Sequence, residues 1–283
     1  MQQVVNGLTL GSIYSLVSLG LTLIYGIMEV PNFAHGHLYM VGAYVAFFML
    51  STYGLNYWAA TLVAMVALAV LGVLVERIVF HPLRHAPPTN LLIAAVGTLL
   101  FLESAARVLW GSDFRSMPSF YDNVVRIAGI RVTHQRLIVI ASAILLMVAL
   151  NLFLKRTTIG SSIEAMAQDR EGASLVGIDA NRVSMLTFAI ASALAAAAAS
   201  LAGPIFLVYP SMGELVIVKT FVIIVLGGMG SIPGAVIGGY ILGLTESLGA
   251  TYLSTDYKDV VAFLVLVLIL SVRPTGLFAR GAG

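Results

Sequence analysis

Val4-Val-Asn-Gly-Leu-Thr-Leu-Gly-Ser-Ile-Tyr-Ser-Leu-Val-Ser-Leu-Gly-Leu-Thr-Leu-Ile-Tyr-Gly-Ile27 runs for 24 residues without one charged side chain. As an α-helix rising about 1.5 Å per residue it covers roughly 36 Å, enough to cross the ~30 Å hydrocarbon core of a bilayer. Comparable runs recur at 37–52, 57–76, 89–110, 136–154, 184–203, 214–228, 233–253 and 258–272. Polar material is confined to short joints except at 111–135 and 155–183. The pattern predicts an all-α, polytopic integral membrane protein in a single transmembrane domain over 1–283. It has eight or nine transmembrane helices, depending on whether 214–253 is two crossings or a re-entrant pair.

Composition excludes the main alternatives. Of 283 residues 59% are apolar and only 10% charged, with a mean hydropathy of +0.99; a soluble domain carries about 25% charge. A soluble enzyme is therefore ruled out. There is no cysteine, so neither a disulfide framework nor a thiolate metal site is available. A net charge of +2 gives no basis for nucleic-acid binding. Met1-Gln-Gln3 leads into the first apolar run without a basic region, and no small-residue cleavage site follows, so this run reads as a first spanning helix rather than a signal peptide. Lys and Arg near the helix ends divide almost evenly between the two sides, so the charge rule alone leaves the orientation nearly tied.

Two of the apolar runs are interrupted. Glu29-Val-Pro-Asn-Phe-Ala-His-Gly-His37 precedes a run, Leu38 to Leu50, that spans only about 20 Å. In the second half Ile217 to Leu226 stops at Gly227-Gly-Met-Gly-Ser-Ile-Pro-Gly234. Short hydrophobic segments broken by Gly or Pro in corresponding positions of two halves point to a transport pathway, because freed backbone groups can face a polar solute. Asn32, Phe33, His35, Gly36, Gly227, Gly228, Gly230 and Pro233 are the candidate pathway residues. The competing reading makes both breaks tight loops at the membrane surface.

Other features divide between packing and function. Gly7 and Gly11, Gly230, Gly234 and Gly238, and Gly239 and Gly243 recur every four residues and predict close helix packing, as does Ala195 to Ala199. Glu103, well inside 89–110, is expected to pair with Arg107 one turn later and is a further pathway candidate. Glu246 has no evident partner and is the weaker candidate. His35 and His37 lack a third ligand, no nucleophile and base constellation is present, and no phosphate-binding Gly-x-x-x-x-Gly-Lys motif occurs; no metal, cofactor or catalytic residue is expected in this chain. Asn123 to Thr133 alternates around Ala128-Gly129, the pattern of a small hairpin or an ordered loop. In 155–183, Ser161-Ser-Ile-Glu164 has the form of a capping box, with a short helix expected to run to about Glu171. Gly177 is placed for a left-handed stop, and Asp179 for capping the next spanning helix. Such a helical knob suits docking of a partner.

Several motifs together resemble one family. Asn6 to Tyr14, Tyr25-Gly26, Asn32-Phe-Ala-His-Gly36, Tyr39-Met-Val-Gly-Ala-Tyr44, Glu76-Arg77, Ala167-Gln-Asp169, Leu175-Val-Gly-Ile178, Leu226 to Ala235 and Pro274-Thr-Gly276 are similar to the permease subunits of branched-chain amino acid ABC importers of the LivH type. The similarity runs from about residue 4 to 278. It implies a bacterial inner-membrane importer for Leu, Ile or Val. The expected partners are a second homologous permease, two ATP-binding-cassette subunits that hold ATP and Mg, and an extracytoplasmic substrate-binding protein. It also implies a coupling element at Glu164-Ala165-Met-Ala-Gln168-Asp169, with Arg170 and Gly177 following, although the usual downstream Ile-x-Leu-Pro is absent. Finally, it places 155–183 in the cytoplasm and the N-terminus and the 111–135 loop outside. Importers of urea, short amides or other amino acids share the same features, and a stand-alone channel or secondary carrier is the more distant alternative.

Overall fold

α1 (Gln2–Met28) forms the axis on which most other elements pack. The computed structural model describes residues 2–121, 123–127, 130–252, 258–273 and 275–278. Expectations at Ala128-Gly129, Pro274 and the end of the 233–253 run lie outside the described residues. α2 (His35–Ser51) follows α1 after the first break. α3 (Tyr57–Val75) extends through a π turn, Glu76–Phe80, and a 3-10 turn, His81–Leu83. α4 (Pro88–Trp110) leads to a hairpin of β1 (Val124–Ile127) and β2 (Ile130–Thr133), paired antiparallel with Val125 opposite Val132. After α5 (His134–Arg156) come two short helices, α6 (Thr158–Gln168) and α7 (Arg170–Leu175), then α8 (Ala180–Ala202). The chain closes with α9 (Met212–Gly227), α10 (Ile232–Tyr252) and α11 (Lys258–Val272).

Among the described residues five helices are long and apolar enough to cross a membrane: α1, α3 with its terminal turns, α4, α5 and α8. α2, α9 and α11 have 17, 16 and 15 residues, short of the ~20 that an unaided crossing needs.

Burial divides the bundle into two classes of helix. The apolar span of α1 is 83% buried, whereas that of α5 is only 22% buried. α3, α4 and α5 turn Leu62, Val66, Val70, Phe101, Leu145 and Val148 outward. Apolar side chains exposed on long helices in this number mark a face that meets lipid or another subunit. The α1–α10 contact is made of small residues. Gly7, Gly11 and Ser15 meet Leu244, Tyr240 and Val236, advancing four residues for four, so the two helices run antiparallel in strict register. A Cβ on Gly243 would lie 2.3 Å from the Gly11 nitrogen, which leaves no room even for alanine. Ala195 to Ala199 are fully buried on α8, with Ala196 against Gly42 of α2. The expected glycine packing thus holds, with one correction. Gly230 lies outside α10, in the preceding turn at φ 80°, because the helix begins only at Ile232.

The knob differs from its expected construction. Thr157, not Ser161, caps the first helix: its Oγ1 accepts from the Gly160 N–H at 3.0 Å, and Ser161 lies inside α6. The helix also ends at Gln168 rather than near Glu171, because the Asp169 side chain reaches forward to accept from the Gly172 N–H at 2.9 Å and starts α7. An Asp that can cap its own downstream turn competes with helix continuation. Gly177 is left-handed at φ 88°, and Asp179 caps α8 through Asn181 and Arg182, as the spacing predicts.

Candidate functional site

Both breaks lie at the same depth. The Gly20 backbone of α1 packs against the His35 imidazole, whose Nε2 is 3.1 Å from the Val17 carbonyl. The antiparallel register carries the start of α10 to a position opposite Leu19. Leu19 and Gly20 stand nine and eight residues before α1 ends, so each break is recessed by about 12 Å from that end. Both breaks therefore sit inside the length of α1 rather than at its end. Irregular backbone at such depth is tolerated only where protein or water covers it.

The first break is closed by side chains. Glu29 takes φ 56°, and its N–H still reaches the Tyr25 carbonyl at 2.8 Å, which ends α1. Asn32 is buried; its Oδ1 accepts from the Ala34 N–H at 3.1 Å and its backbone carbonyl from the His35 N–H at 3.2 Å, which together start α2. Phe33 is half-buried and meets Phe221 of α9, ring centroids 6.0 Å apart. Gly36 touches the backbone of Gly213, where α9 begins. His37 brings Glu103 to this break, its Nε2 lying 3.5 Å from Glu103 Oε2, and Glu103 also holds Arg107 in the predicted pair. Asn32 Nδ2, His35 Nδ1 and His37 Nδ1 are buried with no partner among the described residues. Unused hydrogen-bonding capacity of this kind is rare in protein interiors.

The second break is built from backbone. Gly227 and Gly234 lie in direct contact, Gly228 and Gly230 take φ 98° and 80°, and Ser231 Oγ accepts from the Gly234 N–H at 3.2 Å. Met229, Gly230 and Pro233 are exposed, whereas Gly227 and Gly228 are buried. The carbonyls of Leu226 and Gly227 accept from Leu277 and Phe278 at 2.9 and 3.0 Å, so the segment after α11 satisfies the end of α9. α9 therefore links the two breaks, starting on Gly36 and ending on Gly234.

Similarity to known proteins agrees with this architecture. Residues 3–270 match the family described as branched-chain amino acid transport system, permease component. The chain belongs to that family. It is 38% identical to the high-affinity branched-chain amino acid transport system permease protein BraD of Pseudomonas aeruginosa, covering 99% of this chain and 96% of that protein. LivH of Escherichia coli K12 shows the same identity and coverage. The E. coli permease protein LivM is 25% identical, covering 95% of this chain and 68% of that protein.

Two features of this permease family member were not legible from spacing. Glu246 is not alone: Lys219 of α9 donates to its Oε1 at 2.7 Å and Tyr14 of α1 to its Oε2 at 2.9 Å, with Lys219 also 3.1 Å from the Tyr14 hydroxyl. Tyr14 and Lys219 are 205 residues apart in sequence, so no local pattern shows the trio. On the knob, Glu164 and Ala165 are half-buried and Gln168, Asp169, Arg170 and Gly177 exposed, while Ile163, Met166 and Ala173 face the core. Leu175 and Val176, which the reading of the knob passed over, project at its tip, 89% and 79% exposed. They stand directly before the left-handed Gly177.

Proposed function

We propose that this chain is the membrane-spanning permease of an ABC importer that moves Leu, Ile and Val inward across the bacterial inner membrane. Family membership over nearly the whole chain supports the substrate class, and the pair of recessed breaks at one depth is the single structural observation that supports translocation. In this reading the N-terminus and hairpin face outward and α6–α7 face the cytoplasm, and α2 and α9 are the short members of an eight- or nine-pass bundle. A second permease, for which LivM-like proteins are the type, completes the path. Two ATPase subunits and a substrate-binding protein supply energy and ligand; ATP and Mg belong to those partners.

The physical task is to pass a zwitterion with an apolar side chain through a low-dielectric slab, where an unpaired charge costs several kcal/mol or more. Asn32, His35, His37 and Glu103 offer polar groups at the first break, Gly228 and Gly230 offer backbone at the second, and Phe33 and Phe221 form the apolar wall. Closure of the ATPase dimer presses on the knob, and motion of α6 passes to α1, where Gly26 rests on Ala167. The transported molecule then meets each side in turn.

Uptake of labelled leucine into proteoliposomes holding this chain with its co-expressed partners, with ATP inside or omitted, tests the reading. ATP-dependent accumulation that isoleucine and valine compete away, and urea does not, is expected. ATP-dependent transport that ignores leucine moves the substrate to urea, an amide or another amino acid, and flux indifferent to ATP overturns the mechanism. Charge reversal at Glu164 is expected to weaken co-purification of the ATPases; unchanged co-purification contradicts the coupling role.

A further inference from the structure

α5 and α10 both pack on α1, and toward the end that carries the N-terminus a cavity of about 260 Å³ opens beside all three. That is just under the ~300–1,000 Å³ of sites for drug-sized molecules. Asn6 and Leu10 of α1, Arg136 of α5, Glu246 of α10, and Ile205 and Phe206 of the α8–α9 connector line it. Their chemistry is complementary to one kind of molecule. Glu246 is already matched by Lys219 and Tyr14. The Arg136 guanidinium makes no ion pair or hydrogen bond among the described residues, so it is the uncompensated charge in the lining, and it offers a fork of donors that fits a carboxylate. Asn6 Nδ2 donates to Gln3 Oε1 at 3.0 Å, which leaves its sheltered Oδ1 without a donor. That carbonyl and the remaining lone pairs of Glu246 suit an ammonium group. Leu10, Ile205 and Phe206 supply an apolar wall.

We propose that this cavity is a binding station on the permease itself for a zwitterionic amino acid with an apolar side chain: Arg136 takes the carboxylate, Asn6 and Glu246 the ammonium, and Leu10, Ile205 and Phe206 the side chain. The station lies about 20 Å along α1 before the two breaks, counted from Asn6 to Leu19, and so precedes them on an inward path. The inference rests on the importer reading and adds a substrate site to it. Urea has neither charge, so the same lining disfavours it.

The test is equilibrium binding of labelled leucine to the purified permease–ATPase complex in nanodiscs without the binding protein, run beside proteoliposome uptake with it. Wild-type complex is expected to bind leucine. Arg136→Gln is expected to raise the half-saturating concentration at least tenfold, roughly the loss of one charge-assisted pair, with Arg136→Lys restoring part of it. Leucinamide and 4-methylpentanoate, each lacking one charge, are expected to compete at least tenfold less well than isoleucine. Normal uptake with no direct binding, or binding unchanged in Arg136→Gln, overturns the station and leaves the importer reading standing. Absence of ATP-driven uptake in the wild-type complex sinks the importer reading first. Binding seen in phosphatidylglycerol nanodiscs but abolished by phosphatidylethanolamine assigns the cavity to a lipid headgroup and overturns the proposal.

Discussion

The two breaks share a depth but not a chemistry. At the first, side chains close the turn: Asn32 caps the start of α2, His35 reaches the α1 backbone, and Glu103 arrives from α4 through His37. At the second, left-handed glycines make the turn, a serine caps it, and a distant segment of chain takes the freed carbonyls. The first break is held by buried side-chain contacts, and in the proposed mechanism it is the fixed post. The second has exposed residues at its tip and is held chiefly by backbone, and in the proposed mechanism it is the element that changes shape when the path switches sides. Gly228 and Gly230 take their left-handed conformations without the Cβ penalty that Glu29 meets at φ 56° in the first break.

Substitutions separate the two roles, and the largest effect belongs to the fixed post. A Cβ at Gly36 would lie 2.3 Å from the Gly213 carbonyl oxygen and 2.7 Å from Ile217 Cβ, with neighbours on both sides unable to retreat. Gly36→Val is expected to cost more than about 3 kcal/mol, and the subunit to disappear from the membrane fraction on immunoblotting. Gly230 has open space around it, so Gly230→Val meets only the left-handed penalty of roughly 1–2 kcal/mol. The subunit is then expected to assemble with its partners at normal levels while leucine uptake falls at least tenfold. Normal uptake in that variant removes the second break from the path.

The capping residues sharpen the contrast at a smaller scale. Asn32→Ala removes the acceptor of a buried N–H, a loss of about 1–3 kcal/mol, whereas Ser231→Ala, at a half-buried cap, costs about 1 kcal/mol. Thermal unfolding of the purified complex is expected to show the larger drop for Asn32→Ala; equal drops would say that the two turns are held alike. A separate, local readout comes from the segment of chain that latches the second break. Gly276 takes φ 91°, and a Cβ there would lie 2.6 Å from the Gly228 nitrogen. Gly276→Ala is expected to accelerate amide exchange at Leu277 and Phe278 while exchange along α1 is unchanged.

What the sequence disclosed follows from how local each signal is. Long apolar runs, the Gly7 and Gly11 packing face, the Glu103–Arg107 pair and the two interruptions all rest on spacing within a helix or a turn, and each was readable. The knob is readable in outline, but its first cap is misplaced because Thr157 and Ser161 compete for one role and spacing alone does not rank capping residues four positions apart, and its first helix ends early because Asp169 caps α7. The common depth of the breaks depends on the α1–α10 register. The Tyr14–Lys219–Glu246 trio and the Arg136 cavity depend on residues brought together from opposite ends of the chain. No periodicity encodes either one.

The central claim is that both breaks line one path that opens alternately to the two sides. Because the chain has no cysteine, an introduced thiol is the one labelling site on this subunit, read on its own band after the complex is resolved by electrophoresis. We would place one at Phe33→Cys and, separately, at Met229→Cys in the assembled complex, and measure labelling by a membrane-impermeant maleimide from each face, without nucleotide and with the ATPases trapped in their ATP-closed state. The account predicts that labelling at both positions switches face together between the two states. Labelling at both positions from the same face in both states would contradict it.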